Sequence, residues 1–297
     1  RDSSTSRGLG DVYKRQIIGL TIVAMGTSLP ETAVSVVAAI QHKNTLAISN
    51  VVGSNIFNMM VVIGFCAIMT PVAVQKATLK RDFPYSVFAA LLLMIFGGVG
   101  MKLGRFDSAV FLVFFAIFIG TMIRMALKAG KEGGQPQSEE IEAAETQKVM
   151  SMPKSLLFLV VGVAGIVIGG DVVVDSASNI ALKIGMSQTL VGLTIVSIGT
   201  SLPELVTSVV AARKNEVDMA LGNAIGSNIF NILFVLGLAG VISPMPFLME
   251  NIIDIIILIV FSLLIWIFAW TKEKISRKEG IVMLVLYVVY VIYICMR

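Results

Sequence analysis

The sequence predicts an all-α polytopic membrane protein made of two inverted-topology repeats of five helices, with the first helix of the first repeat missing or replaced. Three observations carry that reading: the composition, nine long apolar runs, and a pair of motifs that occurs twice. Of 297 residues, 56% are hydrophobic and only 14% charged, against about 25% charged in an average soluble domain. The mean hydropathy of +0.89 agrees. Such a composition excludes a disordered chain, a secreted disulfide scaffold and an ordinary soluble enzyme. Long alternating runs of the kind that build an outer-membrane barrel do not occur in the sequence.

A spanning helix takes about 20 apolar residues. The apolar runs place nine candidate spans near 17–41, 44–70, 83–101, 106–127, 154–183, 188–212, 217–243, 250–270 and 278–296. Residues 1–16 (RDSSTSRGLGDVYKRQ) read as a polar tail foreign to the rest, and not as a signal peptide, because no apolar region ends at a small-residue cleavage site. Residues 17–127 then form a first half of four spans, 128–153 a linker, and 154–297 a second half of five. The linker holds Gly133, Gly134, Pro136 and the solvated acidic cluster Glu139, Glu140, Glu142 and Glu145.

Positive charge sets the orientation. With the linker in the cytoplasm, alternation puts 14 Lys and Arg on the cytoplasmic side and 5 on the other, leaving 4 in the tail. The C-terminus is then external, and the expected location is a prokaryotic inner membrane. The net charge of +4 reports topology here, not nucleic-acid binding. Cys66 and Cys295 are too few for a disulfide framework or metal cluster and read as small apolar residues. His42 falls in a short polar loop and reads as solvated.

The duplication is the most specific signal. Residues 19–31 read GLTIVAMGTSLPE and residues 192–204 read GLTIVSIGTSLPE; GSNIFN occurs at 53–58 and again at 226–231. The offset is 173 without a gap, and 27 of 53 positions from Gly19 to Pro71 are identical to Gly192 to Pro244. The second copy begins five spans after the first, an odd number, so it enters the membrane from the opposite side. Inverted repeats with helices broken by Gly and Pro point to a secondary transporter whose site lies between the repeats near mid-depth.

Pro30 and Pro203 lack an N–H and clash with the carbonyl four residues earlier, so each helix must bend within an apolar run. Freed carbonyls in lipid need partners. Glu31 and Glu204 follow at once, and no Lys or Arg lies within either motif helix to neutralise them. A carboxylate at that depth costs several kcal/mol unless a metal ion or proton joins it. Ser54 and Asn58 share a helix face, as do Ser227 and Asn231; they serve as neutral ligands or as interhelical hydrogen-bond partners. Asn50, Asn223, Asn55 and Asn228 extend the stripe and lean toward the second role. Together with Thr27, Ser28, Thr200 and Ser201 these groups make an all-oxygen site of charge −2. It matches one Ca²⁺, two Na⁺ or two protons, and does not suit Zn²⁺ or Cu²⁺. Asp171 and Asp175 read as packing or interface residues of the span at 154–183, and Asp254 as a charge suited to a helix start.

On these paired GTSLPE and GSNIFN motifs the chain resembles the sodium/calcium exchanger family within the cation/calcium antiporter superfamily, from Ile17 to the C-terminus, and most of all its compact prokaryotic members. The resemblance implies a ten-helix fold, alternating access, and Ca²⁺ and Na⁺ competing for overlapping sites. It implies Glu31 and Glu204 as paired acidic ligands and Thr27, Ser28, Thr200 and Ser201 as bent-helix ligands. Ser54, Asn58, Ser227 and Asn231 match the other helix pair, with Ala24 and Ser197 offering backbone carbonyls. Several relatives carry Asp where this chain has Asn231, which leaves Na⁺, H⁺ or K⁺ coupling open. The family's first helix is not recognisable in residues 1–16.

The expected function is antiport of Ca²⁺ against Na⁺, with no enzymatic activity and no cofactor beyond the transported ions. The expected partners are those ions and the lipid bilayer. A Ca²⁺/H⁺ antiporter on the same scaffold is the alternative and a cation channel a more distant one. An intramembrane hydrolase would need a base or metal motif within the spans, which the sequence does not supply.

Overall fold

A computed structural model describes residues 19–132 and 185–297, together with isolated positions between 154 and 183. The tail 1–16, the linker beyond residue 132 with its glutamates, and Asp171 and Asp175 lie outside the described residues.

The first bent pair is α1 (Gly19–Thr27) and α2 (Leu29–Ile40), which meet at 52°. Then come α3 (Asn44–Met69), α4 (Thr78–Met101) and α5 (Arg105–Glu132). The second bent pair, α6 (Gln188–Thr200) and α7 (Leu202–Arg213), meets at 42° and is followed by α8 (Val217–Ile242), α9 (Met249–Lys272) and α10 (Arg277–Met296). Six of these helices are long and apolar enough to cross a membrane, or eight if each bent pair is one span. The ninth run, 154–183, falls mostly outside the described residues. Boundaries agree with the apolar runs within a few residues. The exception is α4, which starts at Thr78 and takes in Lys80, Arg81 and Asp82. A hydropathy window ends at such charges; the helix does not, because Asp82 is buried beside the Arg81 guanidinium, 2.5 Å away.

Helices α3 and α8 form the centre. Their most apolar stretches are 89% and 78% buried, against 22% for α5 and α10. That wrapping lets them carry serine and asparagine through a membrane-depth core, since the polar groups meet protein rather than acyl chains. Helix α3 packs on α2 and α6, and α8 on α1 and α7. Helix α10 covers the second half of α3, as α5 covers that of α8. The glycines permit the closest approaches. A Cβ on Gly53 would stand 2.8 Å from the Leu193 carbonyl of α6, and one on Gly226 2.5 Å from the Leu20 carbonyl of α1.

Two-residue strands tie the loops: β1 (Val72–Ala73) pairs antiparallel with β4 (Lys274–Ile275), and β2 (Lys102–Leu103) with β3 (Met245–Pro246). His42 is exposed, as a loop residue should be, but its Nδ1 lies 3.3 Å from Ser243 Oγ, so it is docked on the end of α8 rather than simply solvated. Cys66 is buried and Cys295 exposed, both as free thiols. Asp254 corrects its sequence reading. It is buried in α9 and bound by the Arg297 guanidinium at 2.9 and 2.6 Å, with the Tyr290 hydroxyl at 3.3 Å. It is an interhelical ion pair, not a helix-start charge.

Candidate functional site

Each bend puts a carboxylate at the start of a helix. Ser28 (φ −85°, ψ 13°) ends α1, Pro30 stands in the first turn of α2, and Glu31 follows. Ser201 (φ −87°, ψ 5°) does the same between α6 and α7, ahead of Pro203 and Glu204. Proline suits the first helical turn, where its missing N–H costs nothing, and a negative charge there is favoured by the helix dipole. Both glutamates are fully buried.

The two bends are laced together. Ser28 donates to Glu204 Oε1 at 2.8 Å, and Ser201 donates to Glu31 Oε1 at 2.9 Å. Each carboxylate is therefore held by the hydroxyl three residues ahead of the other. Ser227 adds a second donor to Glu204 Oε1 at 3.3 Å and reaches the Ala24 carbonyl at 3.5 Å. Ser54, its counterpart in the first copy, reaches the Ser197 carbonyl and the Thr200 hydroxyl, both at 3.4 Å.

Thr27 and Thr200 turn toward the amides. Thr27 donates to Asn223 Oδ1 and Thr200 to Asn50 Oδ1, each at 3.2 Å. Those amides are braced in turn: Asn50 Nδ2 donates to Ser35 Oγ at 3.2 Å and Asn223 Nδ2 to Ser208 Oγ at 3.0 Å. Ser35 and Ser208 were not singled out from sequence, although they stand 173 apart and are identical in the two copies. Asn55 and Asn228 clasp the core helices, each Nδ2 donating to the other's backbone carbonyl at 3.1 Å. Asn231 Nδ2 donates to Asn55 Oδ1 at 3.1 Å.

Asn58 and Asn231 each open a π-helical turn, Asn58–Val62 in α3 and Asn231–Leu236 in α8. Such turns are common at functional positions, and periodicity does not reveal them. Apart from Thr27, which is half-buried, the twelve residues predicted for the site are buried. Several of their polar atoms have no hydrogen-bond partner among the described residues: Glu31 Oε2, Glu204 Oε2, Asn231 Oδ1, and both Nδ2 and Oδ1 of Asn58. An unsatisfied buried polar atom costs about 1–3 kcal/mol, and more if charged. Four of these five atoms are oxygens, the donor set that Na⁺ and Ca²⁺ take. No group of three or more His, Cys, Asp or Glu occurs among the described residues.

Comparisons with known proteins converge on one family. The sequence matches the family described as "Sodium/calcium exchanger protein" over residues 5–124 and 154–296. Inner membrane protein YrbG of Escherichia coli is 34% identical over 258 residues, 84% of this chain and 78% of that protein. Sodium/calcium exchanger MaX1 of Methanosarcina acetivorans is 33% identical over 309 residues, 92% of this chain and 86% of that protein. The fold matches a structure of the sodium-calcium exchanger NCX_Mj soaked with Na⁺ and Sr²⁺, with a TM-score of 0.72 and 33% identity over 93% of this chain and 85% of that one. The chain thus belongs to the sodium/calcium exchanger family and is a membrane cation/calcium antiporter.

Proposed function

We propose that the protein exchanges Ca²⁺ for Na⁺ by alternating access, with Glu31 and Glu204 as the central ligands. The observation that carries this reading is the reciprocal pair of bonds, Ser28 to Glu204 and Ser201 to Glu31, which leaves Oε2 of both buried carboxylates unpartnered. Asn58, Asn231 and the hydroxyls of Ser54, Ser227, Thr27, Ser28, Thr200 and Ser201 complete the oxygen set, with the Ala24 and Ser197 carbonyls. Bare carboxylates are costly to carry through a dry barrier, so a filled site crosses and an empty one does not; that penalty couples the two ions. The names of MaX1 and NCX_Mj support Na⁺ as the counter-ion.

The two halves are inserted oppositely, with a ninth span at 154–183. Loop contacts support this. His42 meets Ser243, Arg105 meets the Val241 carbonyl, and β2 pairs with β3, all between segments that the charge count puts outside. Thr70 meets the Ala212 carbonyl, Arg277 the Met69 carbonyl, and β1 pairs with β4, all between segments it puts inside. The 14 to 5 bias and the name of YrbG support an inner membrane with a cytoplasmic linker.

Ca²⁺/H⁺ exchange is the second reading. It is favoured by amides at both 58 and 231, which leave two protonatable carboxylates and no third. The deciding measurement is ⁴⁵Ca uptake into vesicles driven by a Na⁺ gradient or by a pH gradient. Glu204→Gln abolishes the uptake; undiminished flux in that variant removes Glu204 from the centre of the mechanism.

A further inference from the structure

Resting on that reading of the site, we propose that Ser35 and Ser208 are positioning residues: each orients a core amide, Asn50 or Asn223, and through it keeps Thr200 or Thr27 able to hold a cation. An amide side chain has two unlike ends, an acceptor oxygen and a donor NH₂, and a hydroxyl has one proton and two lone pairs. Asn50 lies between two hydroxyls, with Thr200 on Oδ1 and Ser35 on Nδ2, both at 3.2 Å. Asn223 lies between Thr27 on Oδ1 at 3.2 Å and Ser208 on Nδ2 at 3.0 Å. Which end of the amide faces the threonine decides what the threonine can do. With Oδ1 toward it, Thr200 donates its proton there and keeps its lone pairs for a cation. With the amide turned over, Nδ2 would occupy one lone pair. The displaced proton would fall to the Ser197 carbonyl at 3.4 Å, itself one of the proposed ligands. Thr27 stands alike, with the Val23 and Ala24 carbonyls at 3.1 and 3.3 Å.

The serines hold the first arrangement. Ser208 donates its own proton to the Ala220 carbonyl at 3.5 Å, so what it presents to Asn223 is an acceptor, which only the Nδ2 end satisfies. Both serines are fully buried, so no water takes their place at the amide. Their shares are unequal. Among the described residues Ser35 is the one acceptor of Asn50 Nδ2. Asn223 Nδ2 has a second, the Glu204 backbone carbonyl at 3.4 Å. Removing Ser35 therefore frees its amide to turn, whereas removing Ser208 leaves Asn223 still held.

The test uses the full chain in proteoliposomes and reads ⁴⁵Ca uptake against Ca²⁺ concentration, driven by a Na⁺ gradient and, separately, by a pH gradient. Ser35→Ala raises the Ca²⁺ concentration for half-maximal uptake about tenfold and Ser208→Ala about threefold, with maximal rates held within about twofold. Ser35→Thr, which keeps the hydroxyl, stays closer to the parent chain. Because Ser35 acts through Thr200, adding Ser35→Ala to Thr200→Ala shifts half-saturation no further than Thr200→Ala alone. Effects that multiply in the double variant, or a lower maximal rate at unchanged half-saturation, would make Ser35 a packing residue and overturn the proposal while leaving antiport in place. If Ser35→Ala does not fold, Ser208→Ala combined with Thr27→Ala gives the same comparison, and multiplying effects there overturn the proposal equally. No gradient-driven uptake by the parent chain removes the antiport reading and this inference with it.

Discussion

Glu31 and Glu204 occupy the same place in two nearly identical motifs, yet they are held differently. Glu204 Oε1 receives both Ser28, at 2.8 Å, and Ser227, at 3.3 Å. Glu31 Oε1 receives Ser201 at 2.9 Å, while Ser54, the equivalent of Ser227, is turned to Ser197 and Thr200. The amides differ in the same sense. Asn231 is tied to Asn55, whereas in the twin pair Asn58 and Asn228 Oδ1 have no partner among the described residues. Identical residues thus sit in two hydrogen-bonding states, one drawn tight and the other open. Duplication supplies equal parts; long-range packing decides how each is used.

The largest test of this comparison is removal of the charge itself. Glu31→Gln lowers ⁴⁵Ca uptake by at least roughly 100-fold, the scale of breaking a buried charge set, and matches Glu204→Gln despite the unequal bonding. A large difference between the two variants would mean that the carboxylates are not equivalent ligands. The hydroxyls sharpen the contrast. Ser201→Ala strips Glu31 of its 2.9 Å donor, whereas Ser28→Ala leaves Glu204 with Ser227. A hydrogen bond to a charged group is worth about 1.5–3 kcal/mol. Ser201→Ala therefore raises the Ca²⁺ concentration for half-maximal uptake by roughly 10-fold or more, and Ser28→Ala raises it less. Equal shifts would erase the asymmetry. The smallest effects are on stability. Gly226→Ala and Gly53→Ala each cost about 1–3 kcal/mol through overpacking. The melting temperature in detergent falls further for Gly226→Ala, because its new Cβ meets the Leu20 carbonyl and Cα at 2.5 and 2.8 Å.

Much of this arrangement was readable from the sequence, because membrane helices obey few rules and the repeat supplied a ruler. Pro30 and Pro203 marked both bends, and the 173-residue offset paired each motif residue with its twin. What escaped was partner choice over long separations. Ser35 and Ser208 read as ordinary small helix residues until Asn50 and Asn223 were seen resting on them. Asp254 looked like a dipole partner because its true partner, Arg297, lies 43 residues on. The two-residue strands join loops some 140 to 200 residues apart, from runs too short to show alternation. The π-helical turns at Asn58 and Asn231 lie in helices buried on nearly every side, which have no single apolar face for periodicity to follow.

The crossed lacing of Ser28 onto Glu204 and Ser201 onto Glu31 makes the duplicated segment a lock that needs two keys. Neither copy finishes its own cradle. Drift in one copy is felt at once as a fault in the other, so the two stretches are bound to change together even though Glu31 and Ser201 stand 170 residues apart along the chain.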